Sequence, residues 1–272
     1  MSEPSELAQE LKSLIDRPAP SQRLLFWDIE TAPLLSHIWS AFSSFIPAVM
    51  IEKESFMLSW SAKWGDEDRV MSGVLTPEEA LAQDDTRLVI ELADLLREAD
   101  RTVAHNGDRF DIPKTNNRLL LNKIPPLTPP QTVDTLLLAR KSFRLASNKL
   151  DYLAETLGLG NKISTDFDLW RRCYQGDPDA LREMVRYNRK DVVLLQQVYE
   201  ELLPYVRGLP RLVDGDGRRG KFCPSCGSVE VERDGWHRTN ASTFPRYRCT
   251  ACQRYSRTRK TYIPKKLELH PL

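Results

Sequence analysis

The chain has 272 residues, with 39 Lys plus Arg against 38 Asp plus Glu, 41% hydrophobic and 28% charged residues, and five cysteines. That composition excludes a collagen, a disordered chain and a disulfide-rich scaffold, and the length suits one large domain with a satellite, or two domains. The near-neutral sum hides a split: residues 1–207 carry 25 basic and 32 acidic side chains, net −7, and residues 208–272 carry 14 and 6, net +8.

The opening MSEPSELAQELKSL lacks the basic start and apolar core of a signal peptide, and no apolar run approaches the roughly 18 residues of a membrane span. A cytoplasmic protein with no membrane partner is expected. Residues 5–15 read as a short amphipathic helix, ended by Pro18-Ala19-Pro20-Ser21. The run Leu24-Leu25-Phe26-Trp27-Asp28-Ile29-Glu30 predicts the first strong strand, an apolar segment ending in acids. An insertion over 31–54, with Trp39, Phe42, Phe45 and Ile46, is longer than a plain connection and is a candidate cleft wall, core helix or protein contact. Ser55–Lys63 and Arg69–Leu75 flank Trp64-Gly65-Asp66-Glu67-Asp68 and predict a hairpin beside the first strand.

From Thr76 the period becomes helical: Pro77 and Glu78 open a segment in which Leu88, Leu92, Leu95 and Leu96 recur up to Asp100. A short strand over Arg101–His105, a helix from about Pro113 to Asn122, a proline-rich connector and a strand or helix start at Thr132–Leu138 follow. Helices are expected at 148–158 and 178–205, the latter with the apolar stripe Leu181, Met184, Val185, Val192, Leu195, Val198 and Leu202. A hairpin-type start followed by alternating helix and strand predicts an α/β fold, a mixed five-stranded sheet flanked by helices. The expected boundaries are an N-terminal helix and tail over 1–21, a main domain over 22–207, a linker over 208–221 and a small domain with a basic tail over 222–272.

The small domain is marked by Cys223-Pro-Ser-Cys226 and Cys249-Thr-Ala-Cys252, 22 residues apart. A two-residue spacer turns both thiolates of a pair toward one ion, and two such knuckles joined by a hairpin make a closed tetrahedral shell, so one structural Zn²⁺ in a zinc ribbon is expected. Disulfides or a redox pair are the other readings. Cys173 stands apart and reads as a small buried side chain. Aromatic residues around the cysteines alternate with arginines, a pattern suited to stacking on bases and contacting phosphates, although some of the rings must cover the hairpin instead. Trp236, Arg246, Arg248, Arg254 and Arg257 are the candidate nucleic-acid contacts here.

The main domain holds scattered acids. Asp28 and Glu30, two apart on one strand, point to the same face, where their repulsion favours a cation. Asp111 follows Phe110, expected to anchor the turn, at a strand-to-helix boundary where open sheets carry ligands, with Asp108 as a competitor. Asp191 lies four residues after Tyr187, on the same helix face. In this order, Asp-x-Glu after a strand, Asn-x-x-x-Phe-Asp before a helix and Tyr-x-x-x-Asp in a late helix, residues 22–205 resemble the DEDD exonuclease superfamily of ribonuclease-H-like fold. The tyrosine is similar to that of the DEDDy subgroup, near family B proofreading domains and YprB-like domains.

The resemblance implies a metal-dependent 3′–5′ exonuclease acting on single-stranded or frayed DNA or RNA by two-metal hydrolysis. Asp28, Glu30, Asp111 and Asp191 would hold two Mg²⁺ or Mn²⁺, Asp28 would bridge them, and Tyr187 would orient the attacking water. Asn106 is a candidate donor to the scissile strand, and His105 either joins it or is a satisfied strand-end side chain. Asp134 reads as a supporting or structural acid, and Lys149, Lys162 and Arg171 as solvated charges, with phosphate contact the alternative. An inactive nucleic-acid-binding or scaffold protein and a structure-specific endonuclease with the same metals are the competing functions. The ribbon is expected to grip the nucleic acid, and the ribbon or the 31–54 insertion to meet any protein partner.

Overall fold

Leu24–Thr31 forms β1, the strand on which the rest is arranged, and alternation along it divides the protein in two. Leu25, Trp27 and Ile29 enter an apolar core, while Phe26 stacks edge-on against Tyr199 of the long last helix and Asp28 and Glu30 follow on that same side. The computed structural model describes residues 23–40, 45–127, 131–160, 163, 165–206 and 222–262. The helix expected over 5–15 and the linker over 208–221 lie outside the described residues.

The described residues form two compact units, one spanning Arg23–Leu202 and the other holding those from Leu203 onward. In the first, the insertion after β1 contains β2 (Leu35–Ser36) paired with β3 (Ile51–Lys53), and its Trp39, Phe45 and Val49 are exposed. Then come β4 (Met57–Trp64), β5 (Val70–Val74), α1 (Pro77–Ala82), α2 (Thr86–Glu98), β6 (Arg101–Ala104), α3 (Asp111–Leu121) and β7 (Gln131–Asp134). The unit closes with α4 (Thr135–Ser142), α5 (Leu150–Thr156), α6 (Phe167–Tyr174) and α7 (Pro178–Leu202). The sheet runs β5-β4-β1-β6-β7, with β4 antiparallel to β1, β5 antiparallel to β4, and β6 and β7 parallel to β1. This is the mixed five-stranded sheet with flanking helices that the sequence predicts.

Several boundaries are local chemistry. Thr76 caps α1 with a reciprocal box, the Glu79 amide donating to its hydroxyl and its own amide donating to the Glu79 carboxylate. Gln83, at φ 58°, ends α1 and splits the single helical run expected up to Asp100 into α1 and α2. The strand-or-helix start at Thr132 is both: β7 ends at Asp134, whose side chain then caps α4 by accepting from the Leu136 and Leu137 amides. The short helix α6 carries no separate signal in the sequence reading, yet Leu169 and Cys173 bury its inner face.

On β4 every residue is buried. Trp60 lies against the Gly73 backbone and the Glu91 side chain on the α2 side, where a side chain at position 73 would collide with its ring. Ser59, Ser61 and Lys63 alternate with it and face α7, where Lys63 donates to Gln196 at 2.5 Å. Small serines let the helix approach the sheet closely.

On the other side, Asp85 is fully buried and accepts from Arg118 Nε and Nη2 at 2.6 and 2.8 Å, from Asn122 at 2.7 Å and from the Met57 amide at 2.7 Å. One carboxylate thus joins the start of α2, the end of α3 and β4. Removing it leaves the Arg118 guanidinium buried without its partner, so Asp85→Ala is expected to lose about 3–5 kcal/mol in a urea titration.

Candidate active site

β1 and α7 bring the acids together. Asp28 and Glu30 lie on the α7 side of β1, and Asp191, 3% exposed, faces them from the helix. Each of the three offers an oxygen within 4.8 Å of those of the other two. They line a cleft of about 600 Å³ together with Asp111, His105, Asn106 and Phe110 from the segment after β6, Leu136 and Arg140 from α4, and Asn148, Lys149 and Asp151 at the start of α5. Three hard carboxylate oxygens at one place suit a divalent ion such as Mg²⁺ or Mn²⁺.

Asp111 lines the same cleft and is 1% exposed, but it is not among the three acids whose oxygens converge. Its Oδ1 accepts from the Ile29 amide at 3.1 Å. Burial pushes its carboxyl up to about 7, against the pull of the Ile29 hydrogen bond and with a small push from Asp134. Asp108 is exposed, and its amide donates to Asp134 at 3.3 Å.

Tyr187 is buried with its ring edge-on to Trp170, centroids 5.7 Å apart, and it is not among the residues that line the cleft. Trp170 belongs to a neighbouring open groove of about 480 Å³, also lined by Thr31, Leu34, Lys114 and the exposed Phe167. The groove starts at the residue following Glu30.

Asp134 holds the turn that presents Asn106. Besides capping α4, it accepts from the Asn106 amide at 3.0 Å, where Asn106 is held at φ 67°. His105 Nδ1 pairs with the Thr135 hydroxyl at 2.9 Å. Phe110, which the sequence reading made an anchor of the turn, is 37% exposed and lines the cleft instead.

The sequence reading missed Asn188, which is fully buried and donates to Asp28 Oδ2 at 2.6 Å. A signal existed: an amide adjoining Tyr187, inside the apolar stripe of a long helix. It also missed Arg140, four residues after Leu136 and so on the same helix face as a cleft residue. Lys149 lines the cleft as well, whereas Arg171 pairs with Asp168 on its own helix and Lys162 lies outside the described residues.

In the second unit, β8 (Val231–Arg238), β9 (Thr243–Cys249) and β10 (Tyr255–Arg257) form an antiparallel sheet in the order β10-β9-β8. The four cysteines Cys223, Cys226, Cys249 and Cys252 converge, with Sγ–Sγ separations of 3.6 Å for Cys223–Cys252 and 3.7 Å for Cys226–Cys249. A tetrahedron of sulfurs around Zn²⁺ has edges near 3.8 Å, from a Zn–S bond of about 2.3 Å, so the set fits that ion. Arg246, Arg254 and Arg257 line a cleft of about 780 Å³ with His237 and Tyr255. Arg246 lies over the Tyr255 ring, Arg257 over Phe244, and Arg254 is buried with Nη2 3.4 Å from the Val206 carbonyl. Trp236 and Arg248 do not line this cleft: Trp236 is exposed, with Arg233 over its ring and Tyr262 edge-on to it, and Arg248 donates to Gln253.

A mixed sheet with acids at the end of its central strand and on the helix crossing it defines a ribonuclease-H-like protein. The family model described as RNase_H superfamily matches residues 52–203, more than half of the chain, and the protein belongs to that superfamily. The match begins after β1, so Asp28 and Glu30 precede it. No curated protein matches the chain. Among solved structures, the family B DNA polymerase of the hyperthermophilic archaeon Pyrobaculum calidifontis shares the fold, with a TM-score of 0.52 and 19% identity over 83% of this chain and 32% of the polymerase. The chain therefore spans about a third of that protein.

Asp111 has its carboxyl raised in the folded protein, so its ionisation opposes folding: its contribution is full below the unfolded value near pH 4 and is lost as pH rises through about 7. In EDTA, Asp111→Asn is expected to melt at least about 2 °C above the unsubstituted protein at pH 8, with the gap narrowing below about pH 7 and closing near pH 4, in paired thermal scans.

Proposed function

We propose that the protein is a metal-dependent 3′–5′ exonuclease that hydrolyses phosphodiester bonds of single-stranded or frayed nucleic acid. The observation that carries this reading is the convergence of Asp28, Glu30 and Asp191 within 4.8 Å of one another in an RNase H superfamily chain. With Asp111 beside them, these acids would hold two Mg²⁺ or Mn²⁺, which when bound activate a water and stabilise the leaving 3′ oxygen.

The chain's own groups do the rest. Arg140 and Lys149, on the rim of the acidic cleft, meet the phosphates that enter it. Asn106, presented by Asp134, donates to the scissile strand, and the Phe110 ring beside it stacks on a base. The groove with Phe167 and Trp170 offers a stacking surface for the 3′-terminal base, next to Thr31. Tyr187, one helical turn before Asp191 and steadied by Trp170, orients the attacking water. In the second unit a structural Zn²⁺ on the four cysteines would hold the hairpin, and the Arg246, Arg254 and Arg257 cleft would bind the strand.

Digestion of 5′-labelled single-stranded DNA and RNA with Mg²⁺ or Mn²⁺ is expected to give a ladder shortening from the 3′ end. The ladder should vanish with EDTA and in Asp28→Ala and Asp191→Ala. Cleavage of a circular single strand would show an endonuclease instead, and persistence of the ladder in Asp28→Ala would end the metal assignment.

Cys249→Ser is expected to unfold the second unit alone. Its amide signals should collapse while short oligonucleotides are still cut and long single strands bind at least about tenfold more weakly, as expected when several phosphate contacts are lost. Loss of short-substrate cleavage with the first unit folded would place the cysteine unit in the active site.

A further inference from the structure

Asn188 sits where the pattern of α7 calls for a hydrocarbon. It lies between Met184 and Val192 on the face turned to the sheet and is fully buried. A buried amide there costs free energy unless it is hydrogen bonded. Its two bonds form a chain: the Ser59 hydroxyl on β4 donates to Asn188 Oδ1 at 3.4 Å, and Asn188 Nδ2 donates to Asp28 Oδ2 at 2.6 Å. An ionised carboxylate only accepts, so the amide must turn its nitrogen toward Asp28 and its oxygen toward Ser59. Ser59 is itself fully buried and pairs across the sheet with Glu30, and Ser61 pairs with Asp28.

A polar line thus runs from β4 through α7 back to β1 and ends on an acid of the converging trio. The donor is neutral. A lysine or arginine in its place would satisfy the Asp28 charge and compete with an ion for it, whereas an amide fixes the plane of the carboxylate and leaves its charge in place. Asn188 also lies one turn before Asp191, so the segment that delivers one acid of the trio steadies another. We infer that Asn188 is a positioning residue, holding the Asp28 carboxylate, with Ser59 behind it, in the orientation that binds a divalent cation. This rests on the metal reading of the acids proposed above.

The test is Mn²⁺ binding to the full chain without nucleic acid, read from the paramagnetic resonance of free Mn²⁺, for Asn188→Val, Ser59→Ala and an Asp191→Asn control. Thermal melting in EDTA reports folding. Removing a group that orients a metal ligand typically weakens metal binding 10–100-fold, so Asn188→Val should raise the Mn²⁺ Kd about tenfold or more while the protein stays folded. Ser59→Ala, which retains the amide but frees it to turn, should raise it by a smaller factor, about threefold.

Unchanged Mn²⁺ affinity in folded Asn188→Val would reduce Asn188 to packing and overturn the inference. Should that variant not fold, Ser59→Ala decides, a rise supporting the inference and no change overturning it. If Asp191→Asn also binds Mn²⁺ like the unsubstituted protein, the metal reading itself fails, a result distinct from failure of Asn188 alone.

Discussion

Three carboxylates drawn to one point repel one another, and the fold must hold them there. At 4.8 Å, two unit charges in surroundings of effective dielectric near 20 interact by about 3.5 kcal/mol. That is a large part of a typical domain's stability. A loop would relax away from such a cost. The protein instead fixes Asp28 and Glu30 on the central strand and Asp191 on a 25-residue helix packed along that strand. The offsetting stabilisation comes from elsewhere, chiefly from burial of the apolar face of β1 and the side chains packed on it.

The hydrogen bonds to these acids and their neighbours suit the same end. The Ile29 amide serves Asp111, the Asn188 amide serves Asp28, and four backbone amides serve Asp134. Neutral donors orient a carboxylate without cancelling its charge. Asp111 shows the limit of this device: hydrogen bonds from the Ile29 amide, at 3.1 Å, and from its own amide do not offset burial, and its carboxyl stays raised.

Much of the fold was legible because its signals are local. The apolar run ending in Asp28 and Glu30, the hairpin over β4 and β5, and the stripe of α7 each follow from periodicity. The convergence of the four cysteines was legible because a two-residue spacer in each pair turns both thiols to one side. What escaped was tertiary. Ser59, Ser61 and Lys63 give β4 the alternation of a strand with one wet face, yet α7 covers that face. Asn188 breaks the apolar stripe of its helix, but what it does depends on a side chain 160 positions away. Phe110 had the composition of an anchor, but the turn is held by Asp134, so its ring is released to the cleft.

The split of charge between the two parts of the sequence bears on how the proposed activity would be controlled. A body of net −7 repels phosphate, and its cleft, lined by Asp28, Glu30, Asp111, Asp151 and Asp191, does so most. On the proposed reading, divalent ions are therefore needed for the strand to enter as well as for the chemistry, and ion and strand bind cooperatively, each raising affinity for the other. Arg140 and Lys149 ease the approach without removing that requirement, because two cations face five acids. On the same reading the basic cysteine unit, net +8 over 208–272, would hold a strand whether or not the ions are present. Holding and cutting would thus reside in separate parts of one chain, with the metal site alone deciding when a held strand is shortened.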